Sequence, residues 1–219
     1  MKALVHRVAP DVAKCYRVWT DLGALAVALG FVTAFAALWY RAGILVNHSG
    51  SMPIGVYRVV RLTGAEQRAV AAGRLIPPRG AVVVWCLPPD VAFVARRRGY
   101  VLRGSCPGGV EPVLKHVAAV PGDTVVVNAA GLWVNGRALV NSRALARDAQ
   151  GRSADAVASG QFVVQAGTAW LWSPYSERSY DSRYFGAVPL DGWVGLSRPI
   201  GVGEARPGRG LTASQYPSR

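Results

Sequence analysis

The sequence predicts a mainly β fold, a β-sheet domain carried behind one N-terminal transmembrane helix. Three observations predict it. Residues 22–40 form an uncharged apolar run of bilayer-spanning length. Behind that run, short β-branched segments alternate with Gly/Pro turns, and helical periodicity is scarce. One segment, Leu132-Trp133-Val134, ends in Asn135-Gly136, the strongest short hairpin signal.

The anchor comes first. At ~1.5 Å per residue, residues 22–40 span roughly the ~30 Å hydrocarbon core. Trp39-Tyr40 stands at the far end, where interfacial aromatics belong. Lys2, Arg7, Lys14 and Arg17 precede the run, and Arg41 is the one basic residue soon after it. That bias predicts a cytoplasmic segment over 1–21, an anchor over 22–40 and a domain outside the cytoplasm from 41. A cleaved signal peptide fits less well, because its leading region would be overlong.

Ser49–Leu62 reads as a turn followed by a strand at Val56–Val60, and residues 64–74 as a short helix. Pro77–Gly80 is a turn, and Ala81–Trp85 is a strand by β-branched content. Residues 87–110, rich in Pro, Gly and Arg, read as a long excursion with a short helix at 90–98. Over 112–120 the alternation puts Val113, Lys115, Val117 and Ala119 on one strand face. Pro121-Gly122-Asp123 turns the chain into strands at Val125–Val127 and Leu132–Val134. Residues 141–160 read as an insertion loop, with strands following at Phe162–Val164, Ala169–Trp172 and Trp193–Leu196. The outer domain is thus expected over 41–200, and a disordered tail over 201–219.

The formal net charge is +13. The arginines are scattered apart from Arg96-Arg97-Arg98, and no nucleic-acid motif accompanies them, so nucleic acid is not an expected partner. A basic face toward a lipid bilayer, or simple solvation, accounts for the charge. Cys15 falls on the cytoplasmic side, while Cys86 and Cys106 fall in the outer domain, where disulfides persist. A Cys86–Cys106 bridge is expected, with two free thiols as the alternative. No metal site and no cofactor are expected.

Of 25 Lys+Arg, only Lys2, Lys14 and Lys115 are lysine. A buried lysine can give up its proton, whereas arginine cannot. Lys115 between Val113 and Val117 is therefore a candidate general base, or else a lysine reaching from a strand edge to water. The candidate nucleophile is Ser51, in Asn47-His48-Ser49-Gly50-Ser51-Met52-Pro53. The Ser51 amide and the Ser49 hydroxyl are candidates for an oxyanion hole. His6, His48 and His116 offer a poorer base: one lies across the membrane, one is adjacent in sequence, and one faces away from Lys115. Further on, Ser179-Tyr180-Asp181-Ser182-Arg183 can supply an ion pair, Asp181–Arg183, and a hydroxyl, Ser179, to hold a neutral lysine.

Together these segments resemble type I signal peptidases, family S26. Ser49-Gly50-Ser51-Met52-Pro53 resembles their nucleophile box, and Leu114-Lys115 through Pro121-Gly122-Asp123 their lysine box. Asp181-Ser182-Arg183-Tyr184-Phe185-Gly186 resembles their last box. Pro53, Gly55, Tyr57 and the pair Cys86 and Cys106 resemble the branch of the family that serves conjugative transfer. The resemblance implies a Ser51/Lys115 dyad, an oxyanion hole from Ser49 and Ser51, and supporting roles for Ser179, Asp181 and Arg183. It also implies a bacterial inner-membrane enzyme with a periplasmic domain, whose partners are a pilin precursor and other conjugation proteins. Its product is a linear or a cyclised pilin. Ser173-Pro174-Tyr175-Ser176-Glu177-Arg178 departs from the family's Gly-Asp-Asn-Arg, which points to a specialised substrate. The alternatives are a general signal peptidase and a non-catalytic scaffold of a conjugation channel.

Overall fold

The computed structural model describes residues 2–203, with residues 2–20 and 40 described by their backbone alone. The expected tail therefore lies, from residue 204 on, outside the described residues. The chain divides into two compact units at Ile44/Leu45. The first is the helix α1, Lys2–Arg41. Its segment Asp21–Trp39 has a mean hydropathy of 2.1 and is long and apolar enough to cross a membrane. Leu25, Phe31, Phe35 and Leu38 stand exposed along it, as side chains facing lipid would be.

The second unit is mainly β. A seven-stranded sheet has the order β1-β2-β11-β3-β4-β9-β10. Its strands are β1 (Ile44–Asn47), β2 (Gly55–Arg61), β3 (Val82–Trp85), β4 (Val113–Ala119), β9 (Thr168–Trp172), β10 (Val188–Pro189) and β11 (Trp193–Val202). A four-stranded sheet has the order β7-β6-β5-β8, with β5 (Thr124–Asn128), β6 (Gly131–Val134), β7 (Arg137–Ala138) and β8 (Gly160–Val163). Three short helices complete it: α2 (Gly64–Ala71), α3 (Pro89–Arg97) and α4 (Ser182–Phe185).

Helix α2 starts at a capping box, in which Thr63 and Glu66 satisfy each other's backbone donors. Helix α3 has Pro89 in its first turn, where a missing N–H costs nothing. The Asn135-Gly136 pair joins β6 to β7 with φ of 48° and 79°. Both values are positive, as a tight hairpin turn between right-twisted strands requires.

Strand β4 is central to the site. It lies between β3 and β9, and Lys115 stands opposite Val83. Both of its faces are covered. Val113 and Val117 join the main core around Trp85 and Leu171, while Leu114 packs with Met52, Tyr57 and Val84. The expected alternation fails at one place. A register shift between Val117 and Ala119 puts both Ala118 and Ala119 into the core under the small sheet, as a bulge does by adding one residue to one strand.

Two other boundaries differ from expectation. The sequence pattern assigns no element to residues 44–47, where β1 forms by pairing with β2. Strand β11 runs past residue 200, because Gly201 and Val202 pair with Val56 and Gly55. A Cβ on Gly55 would lie 2.3 Å from Gly201 O, so this close pairing requires glycine.

Candidate active site

Ser51 sits on the loop between β1 and β2. Met52, the next residue, is buried in the cluster with Tyr57 and Leu114 and plugs the loop into the domain. Tyr57 Oη donates to Pro53 O at 2.8 Å. From β4, Lys115 Nζ donates to Ser51 Oγ at 2.8 Å. The strand brings the two residues together across 64 positions of sequence.

The Lys115 side chain is almost wholly buried, with the residue 4% exposed. Burial pushes its pKa down from 10.5 to about 8; Asp181 opposes that shift and Arg183 adds to it. A neutral amine at hydrogen-bond distance from a serine hydroxyl is placed to take its proton.

Ser49 Oγ lies 3.0 Å from Ser51 Oγ and donates to Asn47 Oδ1 at 3.1 Å. The hydroxyl expected at an oxyanion hole is therefore beside Ser51 Oγ, turned toward Asn47. Ser179 Oγ is buried and finds no hydrogen-bond partner among the described residues. The expected bond from Ser179 to Lys115 is not formed; the amine donates to Ser51. Both residues line the same cleft.

Asp181 and Arg183 form the expected ion pair, at 0% and 1% exposure. The guanidinium grips both carboxylate oxygens, at 2.7 and 2.8 Å. It also donates to the carbonyls of Asn141, Arg143, Ser176, Glu177 and Ser179. Burial pushes the Arg183 pKa down, but Asp181 outweighs it and holds the group charged. The pair touches neither Ser51 nor Lys115 by a hydrogen bond. It fixes the segment 173–179 that faces them.

Asp123, in the Pro-Gly-Asp turn, is a structural hub. It accepts from Arg79, from the Val120 amide and from Asn135 Nδ2. Burial pushes its carboxyl up, but Arg79 and the other donors hold it below its usual value. It thereby ties the end of β4 to the β6–β7 hairpin. His116 faces away from the site, with Nδ1 2.9 Å from Gly80 O and its ring beside Trp172.

A cleft of about 360 Å³ opens over Ser51 and Lys115. Leu45 and Asn47 line one side, Pro112–Leu114 another, and Leu87, Tyr100 and Val101 a third. The last three lie in the excursion whose ends are joined by the Cys86–Cys106 disulfide, with Cα atoms 5.5 Å apart. His48 Nε2 and Glu111 Oε1, 3.4 Å apart, stand at the mouth.

Residues 17–200 match the family model for signal peptidase, peptidase S26. The chain belongs to the S26 signal peptidase family. Its relatives sharpen the branch. It is 35% identical over 181 residues to a probable conjugal transfer protein TraF of Sinorhizobium fredii, covering 82% of this chain and 87% of the relative. It is 38% identical over 160 residues to the conjugal transfer protein TraF of Agrobacterium fabrum, covering 72% and 82%. It is 32% identical over 178 residues to a plasmid transfer protein TraF of Escherichia coli, covering 80% and 93%. Among solved structures, a signal peptidase I from Enterococcus faecalis aligns at a TM-score of 0.33 and 18% identity, over 56% of this chain and 97% of that one.

Two functional candidates escaped the sequence reading. Asn47 Nδ2 donates to the carbonyls of Ser49, Met52 and Pro53, each at 3.0 Å. Ser173 Oγ donates to the carbonyl of Ser51, and the Ser173 amide donates to Asp181 Oδ2 at 3.2 Å. Asn47 carried a local signal, since asparagine next to a turn commonly bonds to the backbone a few residues on. The contact made by Ser173 spans 122 positions and left no local trace.

Proposed function

We propose that this chain is a membrane-anchored serine endopeptidase that processes the pilin precursor of a conjugation system, with its catalytic domain outside the cytoplasm. The observation that carries this reading is the buried Lys115 amine 2.8 Å from Ser51 Oγ. The names of its relatives, conjugal and plasmid transfer proteins, favour the conjugative role over general secretion.

In this mechanism a peptide lies in the cleft with its scissile carbonyl against Ser51. Lys115 accepts the Ser51 proton as Oγ attacks. The oxyanion is held by the Ser51 N–H and by the Ser49 hydroxyl once it turns from Asn47. The lysine ammonium returns the proton to the departing amine, leaving an acyl-enzyme. Water then releases a linear product, or the substrate's own N-terminal amine closes a ring.

The test is mass spectrometry of the candidate pilin in cells carrying each variant. Ser51→Ala, Lys115→Ala and Lys115→Arg are each expected to lower processing by roughly a thousandfold or more. Unchanged processing in Ser51→Ala would favour a scaffold. Retained activity in Lys115→Arg would exclude a deprotonated lysine. A mature product one water lighter than the linear peptide identifies cyclisation. Accumulation of many unprocessed secreted proteins, with pilin unaffected, identifies a general signal peptidase.

A further inference from the structure

The proposed dyad leaves unexplained how a short loop rich in glycine and serine holds one amide in a catalytic direction. Residues 49–53 belong to neither flanking strand, and Gly50 adds conformational freedom. Yet the loop's carbonyls are tied down from two sides. From β1, the Asn47 amide group bonds to the carbonyls of Ser49, Met52 and Pro53. From the far end of β9, the Ser173 hydroxyl bonds to the carbonyl of Ser51. Asn47 is 8% exposed and Ser173 0%, so water competes little for these bonds.

The placement of these bonds matters more than their number. The Ser49 carbonyl belongs to the peptide plane joining 49 to 50, and the Ser51 carbonyl to the plane joining 51 to 52. The Ser51 N–H belongs to the plane between them. Pinning the two outer planes holds Cα50 and Cα51 in place, so the middle plane keeps a single freedom, rotation about the axis that joins them. We infer that Asn47 and Ser173 are positioning residues that preset the Ser51 amide as an oxyanion donor. This inference rests on the proposed function.

Ser173 also connects this arrangement to the Asp181–Arg183 pair. Its amide donates to Asp181, and its hydroxyl reaches Ser51. The buried ion pair thereby acts on the nucleophile through one intermediate residue. The Asn47 Oδ1 atom has a second effect: by accepting from Ser49 Oγ it aims that hydroxyl away from the oxyanion site until substrate arrives.

An amide preset for the transition state lowers the barrier without tightening ground-state binding. Its loss therefore falls on kcat. The experiment measures kcat and KM of the full-length protein in detergent, on a synthetic peptide spanning the mapped cleavage site. Ser173→Ala and Asn47→Asp are each expected to lower kcat by about tenfold to a hundredfold, with KM within about threefold of wild type. In Ser173→Ala, which adds no charge, the pH midpoint of the rate, set by Lys115, is expected to stay in place. Asn47→Asp keeps the volume and the acceptor while removing the amide donor, and reads the same quantity if Ser173→Ala does not fold. A kcat within threefold of wild type in the folded variants overturns the inference, as does a loss carried by KM or, in Ser173→Ala, by a moved midpoint. Inactivity of Ser51→Ala on the same peptide keeps the two readings separable, because the dyad then stands whatever Asn47 and Ser173 do.

Discussion

Lys115 and Arg183 are both cations buried in one domain, at 4% and 1% exposure, and the fold treats them in opposite ways. Arg183 is held by a carboxylate through two bonds and by five main-chain carbonyls (Asn141, Arg143, Ser176, Glu177 and Ser179). The Lys115 amine donates one bond, to a serine hydroxyl. A buried charge that must persist is surrounded by acceptors, while one that must leave is given few. Residue type agrees with environment. Arginine keeps its proton in either setting, and lysine loses it where desolvation is uncompensated.

The largest test of this contrast removes the well-held charge. Arg183→Met leaves Asp181 buried without its partner and frees five carbonyls. A loss of about 3–5 kcal/mol is expected, measured by denaturant unfolding of the protein in detergent. A loss below about 1 kcal/mol would show that the two environments do not differ as described.

Removing the poorly held charge should do the reverse. Holding Lys115 charged below its folded pKa of about 8, against 10.5 unperturbed, costs stability. By linkage the cost is about 3 kcal/mol at pH 7. Lys115→Met is therefore expected to stabilise the fold at pH 7 by up to that amount while abolishing processing. Between pH 8 and 10 the unfolded chain keeps a proton that the folded chain releases, so wild-type stability rises with pH. Lys115→Met is expected to lack that rise. Above pH 10, ionisation of Tyr57, pushed up to about 12 by burial, works against stability in both proteins.

The smallest test leaves the protein intact and varies pH. The base form of Lys115 increases as pH rises, so kcat/KM is expected to fall about tenfold per unit below pH 8 and level off above it. A plateau already reached at pH 6 would place the midpoint elsewhere.

The legible parts of the molecule were those set by neighbours in sequence. Asn135-Gly136 marked its hairpin, Ala81–Trp85 its strand, and Val113 and Val117 the burial of Lys115 between them. Cys86 and Cys106 are bonded as expected. The pattern missed features set by distant partners. The four residues of β1 begin after a two-residue turn from α1 and gain strand character by pairing with β2. The two-residue β10 exists because Val188 and Pro189 meet Ala169 and Thr168. Ser51 Oγ lies within hydrogen-bond distance of both Ser49 Oγ and Lys115 Nζ, while Ser179 makes no bond to the lysine, and no local pattern reports how side chains from distant segments meet.

The Cys86–Cys106 bond has a consequence for how such a domain can diversify. Leu87, Tyr100 and Val101, one wall of the cleft, lie inside a segment tied at both ends and separate in sequence from the loop bearing Ser51 and the strand bearing Lys115. Closing a loop of this length restrains the unfolded chain by roughly 3 kcal/mol, so the segment carries part of its own stability. Leu87, Ala92 and Ala95 of this segment are buried in the main core with Trp85 and Val117, so the positions open to exchange are its exposed ones. Under the proposed function, one wall of the cleft and the Ser51–Lys115 pair come from separate stretches of one chain, and the exposed positions of the first can vary while the second is left alone.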